Sequence, residues 1–191
     1  MKVFSVIAVI IVFLACNHKE EEAKKDTPQG PLSKTANSEM FNQSFSQLMT
    51  DYYHLKDNFI TESDTNINVY ARKMIQDADS LPVKELHADT AIIATAKSFT
   101  EGISGELKGL IAENGIDAKR KSFQMLSLEL FDLIRTVQYD KEIIYLQHCA
   151  QAMNNQGADW LSNLKDIRNP YEPKKMLTCG ELKDSINLKK K

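Results

Sequence analysis

Helix breakers are scarce here: five prolines and seven glycines among 191 residues. That scarcity favours long helices over turn-rich β architecture. An excess of charge of one sign is missing too. The formal net charge is -2, so no basic footprint for nucleic acid exists. The sequence has no Gly-rich phosphate loop and no His-rich metal motif. It has no Cys-x-x-Cys-His for haem attachment, no second close pair of ligands for zinc and no internal repeat. With 42% apolar and 26% charged residues the remainder reads as an ordinary globular domain with one core. Cysteine is rare, at three residues, and where those three stand carries most of the information.

Cys16 closes the apolar run Val3–Ala15, which follows Lys2. The run is too short to span a bilayer and has the flanks of a signal peptide. A cysteine straight behind a small residue at that boundary resembles a bacterial lipobox, which implies lipidation of Cys16. Phe13 and Leu14 depart from the usual lipobox pattern, and an ordinary signal peptide cut near Ala15 is the alternative. Residues 17–39 are polar, charged and Pro-containing, and read as a disordered tether. Lys19-Glu20-Glu21, soon after that cysteine, resembles a surface-export signal of Bacteroidetes lipoproteins, although a plain solvated charge run explains it equally.

From residue 40 onward the apolar residues recur at helical spacing. Phe41, Phe45, Leu48, Met49, Tyr52, Leu55 and Phe59 mark a helix over 38–60. Ser63 or Asp64 caps a second, which Leu81-Pro82 stops. A third follows Asp89 and contains Gly102, Gly105 and Gly109, whose presence implies close packing or a break. Asn114-Gly115 ends it, and Asp117 caps a fourth through Tyr139. Met49, Met74 and Met125 read as core. Short connections favour antiparallel neighbours, so the expected fold class is all-α: an up-down four-helix bundle in a single domain over 40–191.

The pattern changes after Tyr139-Asp140. Residues 142–148 read either as an extension of the helix or as a short strand. A second extended run is expected at Met176–Cys179 with Gly180 as its turn. Residues 140–185 are therefore expected to form a small irregular or two-stranded subdomain, plugged to the core by Trp160 and Leu161. Two thiols outside the cytoplasm, Cys149 and Cys179, either pair with each other or bind metal.

Asp159-Trp160-Leu161-Ser162, Ile167-Arg168-Asn169-Pro170-Tyr171 and Lys175-Met176-Leu177-Thr178-Cys179-Gly180 resemble a family of functionally uncharacterised exported bacterial domains, common in Bacteroidetes. The likeness extends upstream through Tyr52–Asp57 and Phe123–Ser127, covering roughly Phe41 to Ser185. Such domains also occur fused to the periplasmic adaptor subunits of heavy-metal efflux pumps. The resemblance implies that Cys149 matches the start of a Cys-Pro-Met element, and Met176 with Cys179 a Met-x-x-Cys element. Ala150 and Gln151 stand where Pro and Met are usual, and Met153 follows two positions later.

Thiolates and thioethers are soft ligands that select Cu(I)-like ions. Cys149, Met176 and Cys179, with His148 or Met153 as a fourth group, could therefore hold a soft metal ion. The alternative is a Cys149–Cys179 disulfide in a structural or protein-interaction module. No reaction is expected: the Cys/His pair has no orienting acid in the sequence, and Asp159 and Asp166 read as a cap and a loop carboxylate. The leading expectation is a lipid-anchored protein of the outer membrane or periplasm of a Gram-negative bacterium, surface-exposed if the export signal operates. It would bind or hand over a soft metal beside efflux-pump components, with the membrane as partner and no nucleic acid.

Overall fold

The Ser38 hydroxyl accepts the Phe41 N–H at 3.1 Å and caps α1, Glu39–Ile60. The structure is a computed structural model describing residues 37–189. The stretch read as a signal peptide, Cys16, nearly all of the segment read as a tether, and Lys190-Lys191 lie outside the described residues. Three more long helices follow: α2 (Asp64–Ser80), α3 (Thr90–Ala112) and α4 (Ile116–Val137). A 3₁₀ turn at Val83–Glu85 links α2 to α3. Pro82 stops α2 at Ser80 as its effect on the preceding residue requires, and Asp89 caps α3 through the Ile92 N–H at 2.8 Å.

Consecutive helices pack on one another, α1 on α2, α2 on α3 and α3 on α4. The seven apolar residues marked on α1 are all fully buried. Phe123 of α4 lies against Tyr52 and Phe59 of α1, with ring centroids 5.5 and 4.7 Å apart, so the first and last long helices also meet. No helix among the described residues is long and apolar enough to cross a membrane.

Several expectations about the helices need correcting. Gly115, at φ +87°, precedes α4 as its N-cap, and Asp117 instead sits in the first turn, 2.5 Å from Arg120. Met125 is exposed rather than core. It lies two residues past Phe123, about 200° round the helix. The three glycines do not break α3. At Gly102 a β-carbon would stand 2.9 Å from a carboxylate oxygen of Glu129, so α3 and α4 approach closely there. Nothing comparable surrounds Gly105.

The chain is mostly helical as expected, but its C-terminal third carries more strand than the small irregular or two-stranded subdomain anticipated there. Three strands, β1 (Ile144–Cys149), β2 (Ala158–Ser162) and β3 (Glu181–Ile186), form an antiparallel sheet of order β2-β1-β3. Two helical turns interrupt them, α5 (Ala152–Asn155) and α6 (Pro173–Met176). The third strand replaces the expected two-stranded form. Residues 173–176 begin a helical turn with proline in its first position, so the extended run starts beyond Gly180. β3 has one buried residue out of six, Ile186, and so carries no period-two apolar signal.

Between α1 and α2, burial and the neighbouring Asp51 carboxyl push the Asp77 carboxyl up to about 6. A carboxyl whose folded-state pKa is raised binds more protons folded than unfolded, so its contribution to stability is present at low pH and lost as pH rises. Stability should therefore fall between about pH 4 and pH 6. Asp77→Asn should flatten that slope. Denaturant midpoints across the window measure it, and an unchanged slope in the variant would assign the dependence to other groups.

Candidate functional site: a sheet clasped by two cysteines

β1 is the central strand and holds most of the polar machinery. Ile144 and Leu146 are buried on one face of it, and Gln147 and Cys149 on the other. Gln147 is satisfied on both ends. Its oxygen accepts the Trp160 indole N–H at 2.6 Å, and its amide nitrogen donates toward the carbonyls of Leu164, Lys165 and Asp166 at 2.9, 3.3 and 3.2 Å. One side chain thus fastens β1 to β2 and to the loop beyond β2.

The sheet is bolted to the helices by tyrosines. Leu161 N–H donates to Tyr52 Oη at 2.9 Å. Ser127 spends its proton on the Phe123 carbonyl, so the Tyr52 hydroxyl donates to Ser127 Oγ at 2.7 Å. Tyr171 Oη donates to the Asp159 carbonyl at 2.6 Å, and the Asp159 N–H donates to the side-chain oxygen of Gln124 at 2.6 Å. Burial pushes both Tyr52 and Tyr171 well above the usual phenol range, so both stay neutral donors. Arg120, itself buried, holds the next loop through the Pro170 carbonyl at 3.0 Å and reaches Glu62 at 3.2 Å. Asn169 closes that loop, its N–H on the Leu177 carbonyl at 2.7 Å and its side chain accepting from Tyr171 N–H at 2.8 Å.

Cys149, at the end of β1, and Cys179, just before Gly180 and β3, are joined as a disulfide, with Cα atoms 5.7 Å apart. Gly180 is needed for this closure. Its φ is +149°, and a β-carbon there would stand 2.8 Å from the His148 carbonyl and 2.9 Å from the Trp160 ring. Gly157, at φ +80°, similarly leaves room for the His148 ring, which would lie 3.0 Å from a β-carbon.

The expected ligands separate on this framework. Cys149 is 1% exposed and faces inward, whereas His148 points to the other face of the strand. His148 Nδ1 is 2.8 Å from Asp159 Oδ1, its cross-strand neighbour. Lys183 completes the cluster, 3.1 and 3.0 Å from the two Asp159 oxygens. An irregularity in the β1–β3 register leaves Lys183 without a partner on β1. Asp159 is therefore the acid that orients His148, a role the sequence reading gave to none. Met153 stands at φ +53° within α5, between β1 and β2, and lines a cleft of about 440 Å³ with Arg120 and Lys174. Met176 ends α6, and its carbonyl accepts the Cys179 N–H at 3.0 Å. Among the described residues no three of His, Cys, Asp and Glu gather as metal ligands would.

Residues 48–142 match the model of a family described as a protein of unknown function, DUF3347. This segment belongs to that family. No curated protein and no solved structure matches the chain. The DUF3347 segment runs from within α1 to just before β1 and so contains Tyr52, Arg120, Gln124 and Ser127. The cysteine-bearing sheet that these residues anchor lies beyond it, so the match is shorter than the likeness read over Phe41–Ser185.

Proposed function

We propose that this chain is a lipid-anchored envelope protein without catalytic chemistry, a structural or protein-interaction module whose C-terminal sheet is fastened by a disulfide. The Cys149–Cys179 bond carries this reading. It uses both thiols, and a bond of that kind persists in oxidising compartments. The position of Cys16 behind the apolar run supports the anchor, and with it a location at the outer membrane or in the periplasm. We read the four long helices as an up-down bundle, since each packs on the next through a short connection.

A second reading, delivery of a Cu(I)-like ion beside a heavy-metal efflux system, applies to the reduced pair. Cα atoms 5.7 Å apart would let both thiolates reach one ion, with Met176 close in sequence.

Mass spectrometry of protein extracted from membranes tests both parts. The expected result is a lipid mass on Cys16 and no alkylation of Cys149 or Cys179 before reduction. An unmodified Cys16 would sink the anchor. Alkylated cysteines would move the weight to the metal reading. Reduced protein should then form a stoichiometric Cu(I) complex, weakened by Cys149→Ser and Cys179→Ser and less by Met176→Leu, whose neutral thioether lacks a thiolate's charge.

A further inference from the structure

Beside α1 lies a cleft of about 580 Å³, bounded by α1, the connection from α4 to β1 and the loop after β2. That is within the size range of small-molecule pockets. Two cations that line it have hydrogen-bonding capacity unspent. Lys56 is 5% exposed, and its ammonium makes one ion pair, to Asp57 at 3.4 Å, beyond the usual N–O hydrogen-bond length of about 2.7–3.2 Å. Arg168 takes part in no side-chain hydrogen bond or ion pair among the described residues, and its charge is close enough to be felt at Lys56. The Tyr53 hydroxyl is buried beside the Glu142 carboxyl, and its ring lies 5.8 Å from the Lys56 nitrogen.

We propose that this cleft binds a small organic monocarboxylate, held by Lys56 and Arg168. A carboxylate accepts only, and its two oxygens match the fork of a guanidinium. It would give the buried Lys56 ammonium a closer acceptor than Asp57, which stands 3.4 Å away. The charge balance selects a monoanion. Asp57, Asp166 and Glu142 also line the cleft, opposing Lys56, Arg168 and Lys141, so a multiply charged anion meets repulsion. The rings of Tyr53 and Tyr139 and the side chain of Leu164 offer apolar surface for the rest of such a molecule. Burial is the main cause that holds Lys56 below the ordinary lysine range, with Arg168 adding to it and Asp57 opposing. A bound carboxylate should therefore raise it. None of these groups touches the cysteine pair, so the outcome is independent of the disulfide and metal readings.

The test is an NMR titration of the folded domain with acetate and with benzoate, following the Lys56 side chain, and with inorganic sulfate as comparator. The carboxylates should give saturable shifts confined to cleft residues. Arg168→Gln should weaken binding by about tenfold or more, the loss of a charge-assisted hydrogen bond. That residue is exposed and unpaired, so the fold should be kept. Lys56→Met should do the same, since replacing a buried charge by an apolar group of like shape is often neutral for stability. The proposal is overturned if neither carboxylate shifts the cleft residues, if sulfate binds as well as they do, or if Arg168→Gln binds them with unchanged affinity.

Discussion

Breaking the Cys149–Cys179 bond should lower the stability of the domain by about 3.6 kcal/mol, the chain-entropy value for a loop of that length. The two cysteines are 30 residues apart in sequence. Between them lie α5, β2 and α6, elements of four, five and four residues. Segments so short bury little surface of their own and depend on being held in place. Small domains are stable by only about 5–15 kcal/mol, so the loss is a large part of the total. Denaturant midpoints with and without reductant, and for a Cys149→Ala/Cys179→Ala double variant, measure it. Helical circular dichroism in the absence of denaturant should be retained, because the core of α1–α4 does not pass through the bond. Equal midpoints before and after reduction would show that the loop is held by Tyr52, Gln147 and Arg120 alone.

Trp160→Ala should be the most damaging single substitution, at about 3–5 kcal/mol from lost burial and the cavity left behind. The side chain is fully buried, 6.1 Å from the Tyr171 ring between centroids. Its removal also strands the Gln147 oxygen, which the indole N–H satisfies at 2.6 Å, and an unpaired buried acceptor costs about 1–3 kcal/mol more. Trp160→Phe keeps most of the apolar volume but not the donor. The Trp160→Phe, Gln147→Leu cycle therefore isolates the hydrogen bond from the packing. A coupling near zero would mean that Gln147 acts only through the three loop carbonyls. As the chain's one tryptophan, Trp160 should also emit at short wavelength while the sheet is intact and shift red on unfolding, giving a probe of the sheet separate from the helices.

How much of this was legible in the sequence differs between the two parts of the chain. The long helices were readable because each runs for at least 17 residues with a persistent apolar stripe. Ser38, Pro82 and Asp89 mark three of their ends by local chemistry. The errors there were also local: Gly115 rather than Asp117 at the start of α4, and Met125 off the stripe. In the sheet the period fails. β1 buries Gln147 among its apolar residues, β2 is buried throughout, and β3 buries only its last residue. None of the three shows the alternation that a half-buried strand would print into a sequence.

The candidate site divides in the same way. That Cys149 and Cys179 belong together followed from their number and from the apolar leader before Cys16. That they form a bond, with His148 turned to the opposite face, depends on strand register. So does the His148–Asp159–Lys183 cluster, which joins residues 11 and 24 positions apart. Lys56, Tyr53 and Arg168 share a cleft although more than a hundred residues separate the first two from the third. A sequence records the hydrophobic period of an element, because that period repeats locally. Which polar side chains are left without partners, and which of them face one another, is decided only when distant segments pack, and in this protein it was decided by the sheet folding back onto α1 and α4.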